Sequence, residues 1–81
     1  MEITKIAVLG AGQMGNGITQ VAACAGYQVV MIDIKQDFVD RGLESIENSL
    51  AKLVSKERLT QDEADSARSN ISISKLRKHF I

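Results

Sequence analysis

Three glycines, Gly10, Gly12 and Gly15, stand at the spacing G-x-G-x-x-G, and an acidic residue, Asp33, follows 18 positions after the last of them. The chemistry this pattern suits is holding a pyrophosphate rather than breaking a bond. Gly10 allows a tight turn. Gly12 has no Cβ, so backbone can come close to a phosphate. Gly15 lets a helix pack against the preceding strand. Amides at a helix start lack intrahelical partners, so those around Gln13 and Met14 would donate to phosphate oxygens, aided by the helix dipole. The carboxylate of Asp33 would accept from the hydroxyls of a ribose and repel a 2′-phosphate, which favours NAD over NADP. Lys35, two residues on, offers a phosphate some tolerance.

Glycines at this spacing arise often by chance, so the surrounding elements decide their meaning. Ile6-Ala7-Val8-Leu9 is a short apolar run of strand formers ending at Gly10. It reads as a buried parallel strand, apolar on both faces. After the glycines, Ile18, Val21, Ala22 and Ala25 recur at helical spacing, and Gly26 is placed to stop the helix. Val29-Val30-Met31-Ile32 reads as a second buried strand, closed by Asp33. Strand, glycine turn, helix and strand make a βαβ unit over residues 5–34, whose right-handed crossover sets the two strands parallel. Gly17 reads as a packing residue. Cys24 reads as a small core residue, Met31 as strand core, and Met14 as a residue near a cofactor edge.

Beyond residue 36 the period changes. Val39, Leu43, Ile46, Leu50 and Leu53 step by four and three, an apolar stripe on a helix of about 20 residues, about 30 Å long. The stripe reads as core packing. Lys56-Glu57-Arg58 reads as a turn. Thr60 and Glu63 form a capping box that opens a second, shorter helix running to about Ser69, with Asn70 closing it. The helical hairpin therefore spans residues 37–69. Ile71-Ser72-Ile73-Ser74 alternates like a third strand, 71–74. The tail from Lys75 to Ile81 is basic and weakly patterned.

Bulk properties bound the function classes. Eighty-one residues allow at most one small domain with a thin stability margin. Ten basic residues balance ten acidic ones, which gives no reason to expect a nucleic-acid or anionic-membrane surface. One cysteine excludes an internal disulfide and fits a reducing compartment. The first apolar run is too short for a signal-peptide core or a membrane span, so a cytoplasmic location is expected. His79 is the only histidine. It stands in the basic tail without a carboxylate motif and reads as solvated. No residue is assigned to catalysis or to a metal.

The run Val8-Leu9-Gly10-Ala11-Gly12-Gln13-Met14-Gly15-Asn16-Gly17-Ile18, with Gln20-Val21-Ala22 after it, resembles the start of NAD-dependent 3-hydroxyacyl-CoA dehydrogenases, including bacterial 3-hydroxybutyryl-CoA dehydrogenases. Val30-Met31-Ile32-Asp33-Ile34 is similar to their second strand. Ser49-Leu50-Ala51-Lys52-Leu53 and Leu59-Thr60 are similar to their helical hairpin. The resemblance covers about residues 3 to 74. A related glycine turn occurs in 3-hydroxyisobutyrate and 6-phosphogluconate dehydrogenases, and the long hairpin favours the hydroxyacyl-CoA group.

The resemblance implies an α/β chain: a partial Rossmann fold, with a three-stranded parallel sheet ordered 3-2-1 and an inserted helical hairpin. It implies reversible hydride transfer between NAD and C3 of a 3-hydroxyacyl-CoA in the full enzyme, within fatty-acid or butanoate metabolism. It implies that Ser49 and Lys56, seven residues apart, help hold the CoA moiety of an acyl-CoA substrate; an exposed polar helix face accounts for them equally. The family's general-base histidine and its glutamate partner lie beyond the third strand, and His79 does not match that motif. The chain is therefore expected to bind cofactor without turnover, lacking the catalytic half and a C-terminal helical domain. Another NAD-linked hydroxyacid dehydrogenase and a non-catalytic dinucleotide-binding module with a partner chain stay open. The edge at Ile6–Leu9 is expected to self-associate or to take a partner.

Overall fold

The computed structural model describes residues 4–75. Strand β1 (Lys5–Leu9) leads through the glycine turn into helix α1 (Gln13–Cys24), and β2 (Gln28–Asp33) follows. Helices α2 (Gln36–Ser55) and α3 (Gln61–Ser69) form the hairpin, and β3 (Ile71–Lys75) completes the order. The sheet runs β1-β2-β3 with both pairings parallel. That is the 3-2-1 order expected from the sequence.

Both crossovers move the chain across the sheet in the same direction. Right-handed connections then place every helix on one face. Register and burial agree with this. Ile6 and Val8 pair with Val29 and Met31, which pair in turn with Ile71 and Ile73. All six belong to the core or pack against it. Their neighbours, Ala7, Leu9, Ser72 and Ser74, are exposed on the opposite face, and Val30 and Ile32 are half-buried. The expectation that β1 and β2 are buried on both faces is therefore corrected: among the described residues, nothing covers the second face.

Helix α1 forms where the apolar spacing puts it, but little of that apolar set is buried. Its buried residues are Thr19 and Ala23. Ile18 and Val21 are 52% and 71% exposed, and Ala25 is exposed too. Thr19 is accommodated because its hydroxyl donates to the carbonyl of Gly15 at 2.9 Å, a backbone acceptor one turn back. Cys24 is exposed rather than core. Partial desolvation, and then the negative charge of Glu63, push its thiol pKa up, which favours the protonated thiol.

Helix ends follow local chemistry. Gly26 has φ +98°, with its amide donating to Ala23 and that of Tyr27 to Ala22, which is the paired bonding of a Schellman stop. Helix α2 ends with the same pattern: Glu57 donates to Val54 and Arg58 to Leu53, with Glu57 at φ 59°. A residue with a Cβ sits there at some cost. The capping box forms in full. Glu63 N–H donates to Thr60 Oγ1 at 3.1 Å, and Thr60 N–H donates to Glu63 Oε1 at 2.9 Å. Arg68 then joins the hairpin's two helices through Glu47 Oε2 at 2.8 Å. Asn70 closes α3 and donates its side-chain amide to the carbonyl of Ala23 at 3.2 Å, tying the hairpin to α1.

Candidate cofactor site

The site lies where β1 runs into α1. Gly10 takes φ +100°, which only glycine adopts without strain. Its amide donates to the carbonyl of Ile32, so the turn is still fastened to β2. Gly12 is the N-cap of α1 and offers no side chain to the first turn. The first helical bond closes on its carbonyl from Asn16 at 2.9 Å. The amides of Gln13, Met14 and Gly15 precede any intrahelical acceptor and point out of the helix start. A Cβ at Gly12 would meet no protein atom within 4 Å, so space beside this backbone is open for a ligand. A Cβ at Gly15 would run into the carbonyl of Gly10. Its packing task is against the turn itself. Gly17 is different: a Cβ there would touch nothing within 4 Å, so the packing role expected for it is not found among the described residues.

Asp33 ends β2 next to this turn. Its Oδ2 accepts from the amide of Ala11 at 2.9 Å, and its Oδ1 accepts from the amide of Ile34 at 2.7 Å. A carboxylate has about four acceptor sites, so two remain free. A cleft of about 320 Å³ opens between Ala11, Gly12, Asp33, Phe38 and Arg41. A glycine backbone on one wall and a carboxylate on the other suit a ribose and its phosphates.

Sequence reasoning missed three residues here. Phe38, 41% exposed, and Arg41 line the cleft from the start of α2. Lys35 Nζ stands 5.3 Å from the Phe38 ring centroid, and Arg41 pairs with Asp37 at 3.2 Å on an exposed surface. Gly42 is the third. A Cβ there would lie 2.7 Å from the Ala11 carbonyl and 3.0 Å from Met31 Cε. Its absence lets α2 close on the glycine turn. The signal was available: Gly42 falls between Val39 and Ile46 on the buried stripe, where a glycine implies a close approach.

Ser49 and Lys56 do not join this cleft. Ser49 is half-buried on α2, and Lys56 is its exposed C-cap. Seven residues put them about 10 Å apart along the helix. His79 lies outside the described residues. No described helix is long and apolar enough to cross a membrane.

A parallel three-stranded sheet, a glycine turn at a helix start and a carboxylate closing the second strand define a dinucleotide-binding α/β unit. The family description "3-hydroxyacyl-CoA dehydrogenase, NAD binding domain" matches residues 5–81, and the chain belongs to that family. A probable 3-hydroxybutyryl-CoA dehydrogenase of Deinococcus radiodurans is 59% identical over 56 residues, which are 69% of this chain and 20% of that protein. One of Bacillus subtilis is 45% identical over 74 residues, 91% of this chain and 26% of its own length. The crystal structure of (S)-3-hydroxybutyryl-CoA dehydrogenase from Ralstonia eutropha superposes with a TM-score of 0.88 at 40% identity, covering 93% of this chain and 26% of that one. The chain thus spans about a quarter or less of the length of these relatives.

Proposed function

We propose that this chain holds NAD at the glycine turn and contacts the CoA part of a 3-hydroxyacyl-CoA through α2, as the cofactor-binding part of such a dehydrogenase. The observation that carries the first half is the cleft walled by Gly12 and Asp33. In this reading Gly10, Gly12 and Gly15 shape the turn, the amides at Gln13 and Met14 hold the pyrophosphate, and Asp33 receives the ribose hydroxyls. Phe38 gives the adenosine an apolar wall. When bound, NAD would supply the hydride chemistry at C3 of the substrate. In this reading the residues described here bind and orient, and the proton is taken by a group outside them.

Ser49 and Lys56 carry the second half. Lys56 is a cation at the C-terminal end of α2, exposed and able to meet a phosphate of CoA. Ser49 stands two turns nearer the glycine turn and offers a hydroxyl. Calorimetric titration tests both halves separately. NAD is expected to bind the 81-residue chain, and Asp33→Ala to weaken it. Acetoacetyl-CoA is expected to bind more weakly to Ser49→Ala and Lys56→Ala, with NAD affinity unchanged. CoA-ester binding that ignores both substitutions removes the second half and leaves the first. With acetoacetyl-CoA and NADH no turnover is expected, and turnover above background overturns the assignment of the base to residues outside this chain.

A further inference from the structure

The cofactor cleft is short of positive charge at the helix start. The first turn of α1, from Gln13 to Asn16, contains no ionisable side chain. Its free amides and the helix dipole supply about half a positive charge. Asp33 sets a full negative charge on the facing wall. A dinucleotide brings one more on each phosphate of its pyrophosphate. Helix amides alone do not offset these charges. Arg41 does so in part: among the described residues it is the only cation on the cleft walls, which are otherwise Ala11, Gly12, Asp33 and Phe38. It follows Phe38 by three positions on α2, so both project from the same side of the helix. It also precedes Gly42, whose missing Cβ brings α2 against the carbonyl of Ala11. Lys35, the N-cap of α2, is turned elsewhere: its Nζ stands 5.3 Å from the Phe38 ring centroid, and it does not line the cleft.

On the reading that the chain holds NAD at the glycine turn, we infer that Arg41 binds the cofactor's pyrophosphate and gives up Asp37 to do so. Arg41 Nη2 pairs with Asp37 Oδ2 at 3.2 Å, and the two side chains are 75% and 65% exposed. An exposed pair one helical turn apart is weak and screened by salt. A guanidinium meets a phosphate through two parallel hydrogen bonds, and charge-assisted contacts of that kind are the stronger ones. The phosphate therefore displaces the carboxylate from the same fork. Placement within the cleft selects the pyrophosphate over the rest of the cofactor. Phe38 gives the adenosine its apolar wall, and Asp33 repels a phosphate at the ribose 2′ position. What is left for Arg41 is the space beside Gly12, where the backbone is open to a ligand.

Nuclear magnetic resonance titration of the isotope-labelled 81-residue chain tests this, with NAD, NADP and adenosine as probes and circular dichroism to confirm folding. Arg41→Ala is expected to weaken NAD binding by about tenfold, the loss of one charge-assisted contact. Adenosine binding and the Tm are expected to stay unchanged, because the side chain is exposed. Arg41→Lys is expected to recover part of the loss, since it restores the charge without the fork. Asp37→Asn is expected to strengthen NAD binding roughly twofold. That gain is expected to shrink when Arg41 is already alanine, where no pair is left to break. An Arg41→Ala variant that binds NAD as the parent does overturns the inference and leaves the cofactor reading standing. A loss equal for NAD and adenosine assigns the contact to the adenosine, and a loss much larger for NADP than for NAD assigns it to a 2′-phosphate; either overturns the inference. Asp37→Asn with unchanged NAD affinity overturns the exchange. A folded parent that does not bind NAD overturns the cofactor reading itself, and this inference with it.

Discussion

The carboxylate of Asp33 accepts a hydrogen bond from the amide of Ala11 at 2.9 Å, across 22 residues of sequence. It fastens the end of β2 to the glycine turn. The same group that the sequence offers to a ribose therefore also holds the turn in shape.

That double task predicts two separable losses. Asp33→Ala leaves the amide of Ala11, a residue only 3% exposed, without its acceptor. An unsatisfied buried donor costs about 1–3 kcal/mol, and each kcal/mol lowers the Tm of a domain this size by roughly 4–8 °C. Asp33→Asn keeps an acceptor oxygen and most of the stability. Both are expected to weaken NAD binding more than NADP binding. Calorimetry showing equal losses for the two cofactors would remove the ribose role and leave the structural one.

Gly12 and Gly15 separate binding from folding. Gly12→Ala adds a Cβ into open space at φ −68°. Its Tm is expected to stay near that of the parent while NAD binding is lost by tenfold or more. Gly15→Ala drives a Cβ into the Gly10 carbonyl, backbone against backbone. Overpacking of that kind costs about 1–3 kcal/mol. Thermal melting and cofactor titration of the two variants should give opposite rankings, and an unstable Gly12→Ala contradicts the open cleft.

Gly42 tests how the hairpin supports the turn. Alanine favours helix over glycine by about 1 kcal/mol. Here the added Cβ would meet the Ala11 carbonyl at 2.7 Å and its Cβ at 3.2 Å. Gly42→Ala is expected to be destabilising, with weaker NAD binding, because α2 must withdraw from the turn. A higher Tm for this variant would show that α2 moves freely.

The capping box carries a pH dependence. Hydrogen bonds from Thr60, first its backbone amide and then its side chain, hold the Glu63 pKa below its ordinary value of 4.5. A lowered folded pKa stabilises above the unfolded value and stops doing so as pH falls through the folded one. The Tm difference between the parent and Glu63→Ala is expected to be constant above pH 4.5 and to shrink below it. Thr60→Ala is expected to cost about 1 kcal/mol at neutral pH. A Glu63 effect that grows in acid contradicts the assignment.

Local signals carried most of the fold. The glycine spacing, the two apolar runs, the hairpin stripe and the Thr60–Glu63 pair depend on residues near one another, so periodicity and capping chemistry reveal them. The order of the strands followed from handedness and from the resemblance of the glycine turn and hairpin to one family. By itself the sequence determined that a nucleotide-binding turn opens the chain and that Asp33 stands near it.

Tertiary structure decided the rest, because it depends on which faces meet. An apolar stripe does not say what covers it. Ile18 and Val21 recur at helical spacing yet lie exposed, since both crossovers place the helices on one side of the sheet and nothing described packs beyond β1. Phe38 and Arg41 enter the cleft only because α2 approaches the turn, and Gly42 sets how close it comes. The hydrogen bond from Ala11 to Asp33 has no local signature at all. It exists because a parallel pairing brings the ends of β1 and β2 side by side.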